Sequence, residues 1–202
     1  MNNTLYFLRH GHTQVDKNIP ISRWKLSDVG HAQAAEVARN ENFKDIDVIV
    51  ISGEDKAYQT AEHLIQHLQS QGRKIEVIRE SKINELGRDR GGFLDKEKYE
   101  EVAKRSLSNP EESINGWEPA ARARERFTNG VEEIDQRFEG KKIAFVGHGY
   151  TMNMYFAQKM GELERVYERL HTNDFCDWGV VRDGKVVKDL GPDLGRVGER
   201  LV

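Results

Sequence analysis

The sequence predicts an α/β fold: a three-layer α-β-α sandwich around a mostly parallel central sheet. Three observations predict it. Short β-branched or aromatic runs alternate with stretches of helical periodicity. Three of the first four strand-like runs end directly in a polar, glycine-containing turn. The 202 residues carry no internal repeat and no linker, so a single domain over 1–202 is expected.

Leu5-Tyr6-Phe7-Leu8 reads as the first buried strand and runs into Arg9-His10-Gly11. Ser27 can cap a helix through Ala32, Ala35 and Ala38. The second strand, Asp47 to Ile51, ends at Ser52-Gly53. Ala57, Ala61, Leu64, Ile65 and Leu68 then line one face of a helix. Ile75 to Ile78 is the third strand, followed by a short loop to Glu85. From Gly87 to Gly116 the periodicity weakens, and a helical excursion over the sheet edge is expected. Phe127, Val131, Ile134 and Phe138 mark the next helix. Ile143 to Val146 is the fourth strand; it ends in Gly147-His148-Gly149, and a helix through Met152, Tyr155 and Phe156 follows. Phe175 to Val181 and Val186-Val187 flank Asp183-Gly184, a hairpin-type turn. Strands alternating with helices imply a sheet covered on both faces.

Composition excludes several classes of partner. Thirty-one Lys plus Arg against 34 Asp plus Glu give a net charge of −3. That leaves no positive excess for a broad nucleic-acid-binding face. No run approaches the ~20 apolar residues of a membrane span. The start, Met1-Asn2-Asn3-Thr4, lacks a basic segment and an apolar stretch, and the single cysteine, Cys176, suits a reducing compartment. A cytoplasmic location is therefore expected.

In open α/β sheets ligands sit beyond the carboxyl ends of the strands. Those ends carry Arg9, His10 and His12; then Ser52, Glu54, Asp55 and Lys56; then Glu85; then His148. Basic groups, histidines and a carboxylate on one edge make a candidate reaction centre. One reading of it is metallic: His10 and His12, with His148 and Asp16, as a mononuclear hydrolase site. Arg9 beside such a cation would be repulsive.

Five ordered segments also resemble the histidine phosphatase superfamily, the phosphoglycerate mutase-like family. Leu8-Arg9-His10-Gly11-His12-Thr13 resembles its LRHGxT signature, and Leu26 to Ala34 its L-[TS]-x-x-G-x-x-Q-A segment. Ser52 to Ala61, SGEDKAYQTA, resembles S-x-x-x-R-A-x-Q-T-A. Ile83-Asn84-Glu85 resembles the segment holding the acid, and Val146 to Gly149 the second histidine segment.

The resemblance implies a covalent phosphohistidine at His10, a phosphate clamp at Arg9, and stabilisation of the transferring group by His148 and the amides after Gly149. It makes Glu85 the proton donor. A phosphomonoester dianion needs such cationic and neutral donors around it. Lys56 stands where the family has arginine, and it supplies charge without a planar fork. Asp16 stands where the family tends to have an asparagine donor; it either turns away or pairs with Arg9 or Lys56, and Asn18 is the replacement donor. Thr13 is a further site-lining candidate, and Glu118 and Asn173, which match weaker family positions, either line the site or belong to its scaffold. His12, His31, His63, His67 and His171 read as structural or exposed.

The expected activity is hydrolysis of a small phosphorylated metabolite, with no cofactor and no metal, by a monomer or homodimer. The short excursion, with Arg88, Arg90, Phe93, Lys96 and Lys98, favours the phosphatase branch and an acidic substrate. The alternatives are mutase-type transfer, a phosphate-binding module without turnover, and the metal-dependent site.

Overall fold

The computed structural model describes residues 2–191; the last residues of the expected domain, 192–202, lie outside them. Six strands form one sheet: β1 (Thr4–Arg9), β2 (Val48–Ile51), β3 (Glu76–Arg79), β4 (Lys142–Gly147), β5 (Trp178–Arg182) and β6 (Lys185–Gly191). Their order is β3-β2-β4-β1-β5-β6. The first four run parallel, while β5 is antiparallel to β1 and β6 to β5. Register then fixes the site: Arg9 lies opposite Gly147, and Ile51 opposite Val146. The segments after β1, β2 and β4 therefore emerge side by side.

Strand alternation builds two cores. Tyr6, Leu8, Ile49, Ile51, Ala144 and Val146 face α1 (Asp28–Val37) and α2 (Asp55–Ser70). Leu5, Phe7, Val48, Val50, Ile143 and Phe145 face α4 (Ala120–Arg137) and α5 (Gly149–Met160). Each fully buried Leu, Ile or Phe is worth about 1.5–3 kcal/mol, so the strand ends are held by the most stable part of the molecule. The Ser27 side chain caps α1 by accepting from Gly30 N–H. Asp183 (φ 52°) and Gly184 (φ 72°) make the expected tight turn between β5 and β6. The expected strand at Phe175 begins later, at Trp178, because the Asp177 carboxylate takes the Asp174 N–H and holds 174–177 in a turn.

The 87–116 excursion is helical as expected, with a 3-10 turn at Asp89–Gly91 and α3 over Lys96–Ser108. It does not cover the sheet edge. Val102 and Ala103 pack with Leu86 and Trp117 against Tyr150, Met154 and Ala157 of α5 and Val166 of α6 (Val166–Thr172), in a cluster without strand residues. The reason is α5. Tyr150, Met154 and Ala157 form a second apolar stripe, so this helix needs cover on the side away from the sheet. Among the described residues no helix is long and apolar enough to cross a membrane.

Candidate active site

The loop after β1 is pinned before any catalytic side chain is placed. Gly11 and Gly30 pack back to back: a Cβ on Gly11 would lie 2.5 Å from Gly30 O, and one on Gly30 2.0 Å from His12 O. Side chains of the motif segments satisfy this loop's amides. Thr60 Oγ1 accepts from Gly11 N–H at 3.1 Å, Gln33 Oε1 from His12 N–H at 2.8 Å, and Gln59 Oε1 from Leu26 N–H at 2.8 Å.

His10 is buried, and its Nδ1 lies 2.7 Å from Gly11 O. A carbonyl only accepts, so Nδ1 carries the proton and Nε2 keeps its lone pair. Burial first, then His148, Lys56 and Arg9, push its pKa well below the ordinary histidine value. The ring is thus a neutral imidazole with a nucleophilic Nε2.

Arg9 donates through Nη1 to Asn173 O at 2.9 Å, and its guanidinium lies over the Phe175 ring at 4.6 Å. Its Nε is buried without a protein partner. A side chain at 149 would put Cβ 3.4 Å from Arg9 Cζ, so Gly149 leaves the guanidinium its room.

His148 is fully buried, its ring centroid 5.2 Å from that of His10. Its Nε2 lies 2.6 Å from Ser52 Oγ, and its Nδ1 has no protein partner. Burial, then the charge of Lys56, lowers its pKa to about 3, so it too is neutral.

Lys56 is 2% exposed at the second position of α2. Its Nζ donates to Ile21 O at 3.0 Å and to Glu54 Oε2. Glu54, also buried, accepts the Glu85 N–H at 2.9 Å through its other oxygen, which lies 3.7 Å from His148 Nε2. The cation expected to meet phosphate alone is thus already paired with a carboxylate. The pair has a local cause: residues 54 and 56 flank the first turn of α2 with both side chains turned inward.

Glu85 reaches the same place. Its carboxylate accepts from Leu86 N–H at 2.9 Å, Tyr150 N–H at 3.1 Å and Thr151 N–H at 3.2 Å. It therefore occupies the N-terminus of α5, where an anion is favoured. Arg126 holds the loop bearing it, donating to Lys82 O, Asn84 O and Glu85 O and pairing with Glu118 through two nitrogens. Of the two roles open to Glu118 it takes the scaffold one: it pairs with Arg126 and takes the Gly87 N–H, because a half-buried carboxylate needs those donors. Asn173 is likewise scaffold: its side-chain amide exchanges two hydrogen bonds with that of Asn153 while its carbonyl holds Arg9.

Asp16 turns away. Its Oδ1 accepts from the backbone and side chain of Asn18, a local Asx turn, and it pairs with neither Arg9 nor Lys56. Asn18 is exposed and spends its side-chain donor on that turn, so it replaces no phosphate donor. Thr13 does line the cavity. The metallic reading has no ligand set: His12 Nδ1 faces Ser27 Oγ at 2.7 Å, and among the described residues no three His, Cys, Asp or Glu side chains gather to hold an ion.

Arg9, His10, Lys56, Glu85 and Gly149 open into one cavity of about 370 Å³, with Arg88 in its wall. His148 is fully buried with its ring beside that of His10, and it is not among the residues lining this cavity. The expected basic mouth is mostly absent: of the excursion's cations only Arg88 lines the cavity, and Lys98 pairs with Glu101 on α3. The wall is largely aromatic instead. Sequence reasoning placed Ser52 and Glu54 at a strand end without an individual role, took Arg88 only as one of the excursion's cations, and passed over Arg126. Glu54 had a signal, its place at a strand end two residues before Lys56. Arg126 had none, since a charged residue beside the apolar stripe of α4 looks like any solvated one.

The model of the histidine phosphatase superfamily (branch 1) matches residues 5–184. Comparison with curated protein sequences gives no significant match. Among solved structures, a mycobacterial glucosyl-3-phosphoglycerate phosphatase bound to VO3 is similar at 19% identity with a TM-score of 0.71, covering 93% of this chain and 98% of that one. Bacillus stearothermophilus YhfR is similar at 18% identity and a TM-score of 0.73, covering 96% and 98%. A phosphoserine phosphatase from Entamoeba histolytica, in complex with 3-phosphoglyceric acid, is similar at 18% identity and a TM-score of 0.72, covering 95% and 98%.

Proposed function

The chain belongs to the histidine phosphatase superfamily (branch 1), and from that footing we propose that it hydrolyses phosphomonoesters through a covalent phosphohistidine at His10. The observation that carries this reading is the state of His10. It is a neutral imidazole with Nδ1–H fixed on Gly11 O and Nε2 free, beside Arg9 at the end of a cavity.

In the first step the Nε2 lone pair attacks phosphorus. The P–O bond to the alcohol breaks, and the departing oxygen takes a proton from Glu85. In the second, water attacks phosphorus, the P–N bond breaks, and the water's proton returns to Glu85. Arg9 clamps phosphoryl oxygens through its free edge. Ser52, by donating its hydroxyl proton to His148 Nε2, leaves the proton on Nδ1, which has no protein partner beside His10 and is the neutral donor to the transferring group once phosphate fills the end of the cavity. For Glu85 to act, its oxygens must release the amides of Tyr150 and Thr151. Incoming phosphoryl oxygens do this by taking those N–H groups themselves. The charge comes from Arg9 and these amides, with Lys56 shared between Glu54 and the phosphoryl group, so the reaction is proposed to need no metal ion. The single cysteine keeps a cytoplasmic setting as part of the proposal.

The test is His10→Ala assayed on an alkyl phosphate, with the fold checked by circular dichroism. Phosphate release should vanish in a folded protein. Undiminished release would reject the nucleophile, and no release by wild type on any phosphomonoester would favour a phosphate-binding module.

A further inference from the structure

The hydrolase reading leaves the alcohol portion of the substrate open, and the cavity beyond His10 bears on it; the inference here rests on that reading. A phosphate group fills only the end formed by Arg9, His10 and Lys56, and the rest of the roughly 370 Å³ must hold what the phosphate is attached to. That part carries the rings of Trp24, Phe93, Tyr99, Trp117, Tyr150 and Tyr167 alongside aliphatic side chains, while Phe175 lies at the phosphate end against Arg9 and His10.

Its charged groups are Arg88 and Glu100. Arg88 lies against the rings of Tyr99, Trp117 and Tyr150, at 5.8, 5.6 and 5.1 Å, and donates to Tyr99 Oη at 3.2 Å. Its charge is surrounded by these rings and offset by the carboxylates of Glu85 and Glu54, while its buried Nε has no protein partner. Glu100 also lines the cavity, its Oε2 accepting from Tyr167 Oη at 2.9 Å and lying 3.0 Å from His171 Nε2. A carboxylate in an aromatic wall repels a second negative charge on the ligand. Phe93 is 40% exposed at the lip, with Lys17 Nζ 4.7 Å from its ring centre on one side. It is a ring face offered with little else to bury it.

We propose that the substrate is a phosphomonoester of a flat, ring-bearing alcohol that has no negative charge apart from its phosphate. Water is displaced from ring faces, and stacking orients the ester so that phosphorus meets His10 Nε2. Short acidic esters, which the sequence alone favoured, gain nothing from such walls.

The experiment compares ethyl phosphate, 2-(2-naphthyl)ethyl phosphate and its ring-carboxylated analogue. All three have alkyl leaving groups, so differences report binding rather than departure. The naphthyl ester should have a KM about tenfold or more below that of ethyl phosphate, the fold-change of one favourable aromatic contact of about 1.4 kcal/mol. The carboxylated ester should lose most of this gain, and Phe93→Ala should shrink the naphthyl-to-ethyl ratio. Binding of the same esters to His10→Ala, read by tryptophan fluorescence from Trp24 and Trp117, gives the ratio without turnover. Equal affinity for all three esters, or preference for the carboxylated one, overturns the proposal. His10-dependent hydrolysis of ethyl phosphate with no ring advantage overturns it while leaving the hydrolase reading intact. Tight naphthyl-ester binding with no turnover by wild type supports the ring site and rejects the hydrolase.

Discussion

Glu54 changes the electrostatics of the site more than any other single side chain. It sits against Lys56, takes the Glu85 N–H and approaches His148. Removing one partner of a buried ion pair leaves an uncompensated charge, at a cost of about 3–5 kcal/mol. Glu54→Gln keeps the shape and deletes the charge, so urea unfolding should show a stability loss approaching that range. Inorganic phosphate should then become the missing counter-charge and inhibit at about tenfold lower concentration, as for one freed cation at a phosphoryl oxygen. Unchanged phosphate inhibition would show that Lys56 does not reach the phosphate. At this scale the sequence revealed identities more readily than states. Arg9, His10, Glu85 and His148 converge as their motif positions require, and Lys56 joins them. What spacing could not show is that Lys56 arrives already neutralised, or that Asp16 turns away into its own Asx turn. Both depend on where a side chain points once the loop is packed.

An arginine on another element ties down the loop between β3 and α3. Arg126 of α4 gathers the carbonyls of Lys82, Asn84 and Glu85 and is itself fixed by Glu118. These two are positioning residues for the Glu85 carboxylate. Glu118→Ala should slow hydrolysis of alkyl phosphates by about ten- to a hundredfold, a partial loss of the roughly 10²–10⁴-fold that a positioned general acid contributes. Aryl phosphates, whose leaving groups need little protonation, should slow much less. A loss equal for both classes would make the pair purely structural. Elements with strong periodicity, α2, α4 and the first four strands, were legible because burial on one face imposes a repeat. The seven-residue α6 was not, and the excursion's placement on α5 was misjudged. The second apolar stripe of α5, Tyr150, Met154 and Ala157, shows that a second side needs cover, but a local pattern does not say which element covers it.

For the molecule as a whole, the two neutral buried histidines tie stability to pH. Both have folded-state pKa values depressed from the ordinary 6.5, His148 to about 3. Above pH 6.5 the folded and unfolded states are both unprotonated there and nothing changes. Below it the unfolded chain binds protons that the folded chain refuses, so stability falls by up to ~1.4 kcal/mol per pH unit from each histidine. His63, lowered by burial and by His31, acts in the same direction. Urea midpoints should hold between pH 8 and 7 and drop clearly by pH 5, before most carboxylates titrate. A flat profile down to pH 5 would mean that the two histidines are not buried neutral. The sandwich and its parallel core were legible from the alternation of strands and helices. The aromatic cavity was not, because Trp24, Tyr99, Trp117, Tyr150 and Tyr167 come from separate segments that only the tertiary fold brings together.

The most direct measurement on the central claim is a rapid quench of wild-type protein during turnover of a phosphorus-labelled alkyl ester, followed by mapping of the label. The account predicts an acid-labile, base-stable phosphoryl group on His10, absent from His10→Ala. Steady phosphate release with no label on the protein, or with the label on another residue, would contradict it.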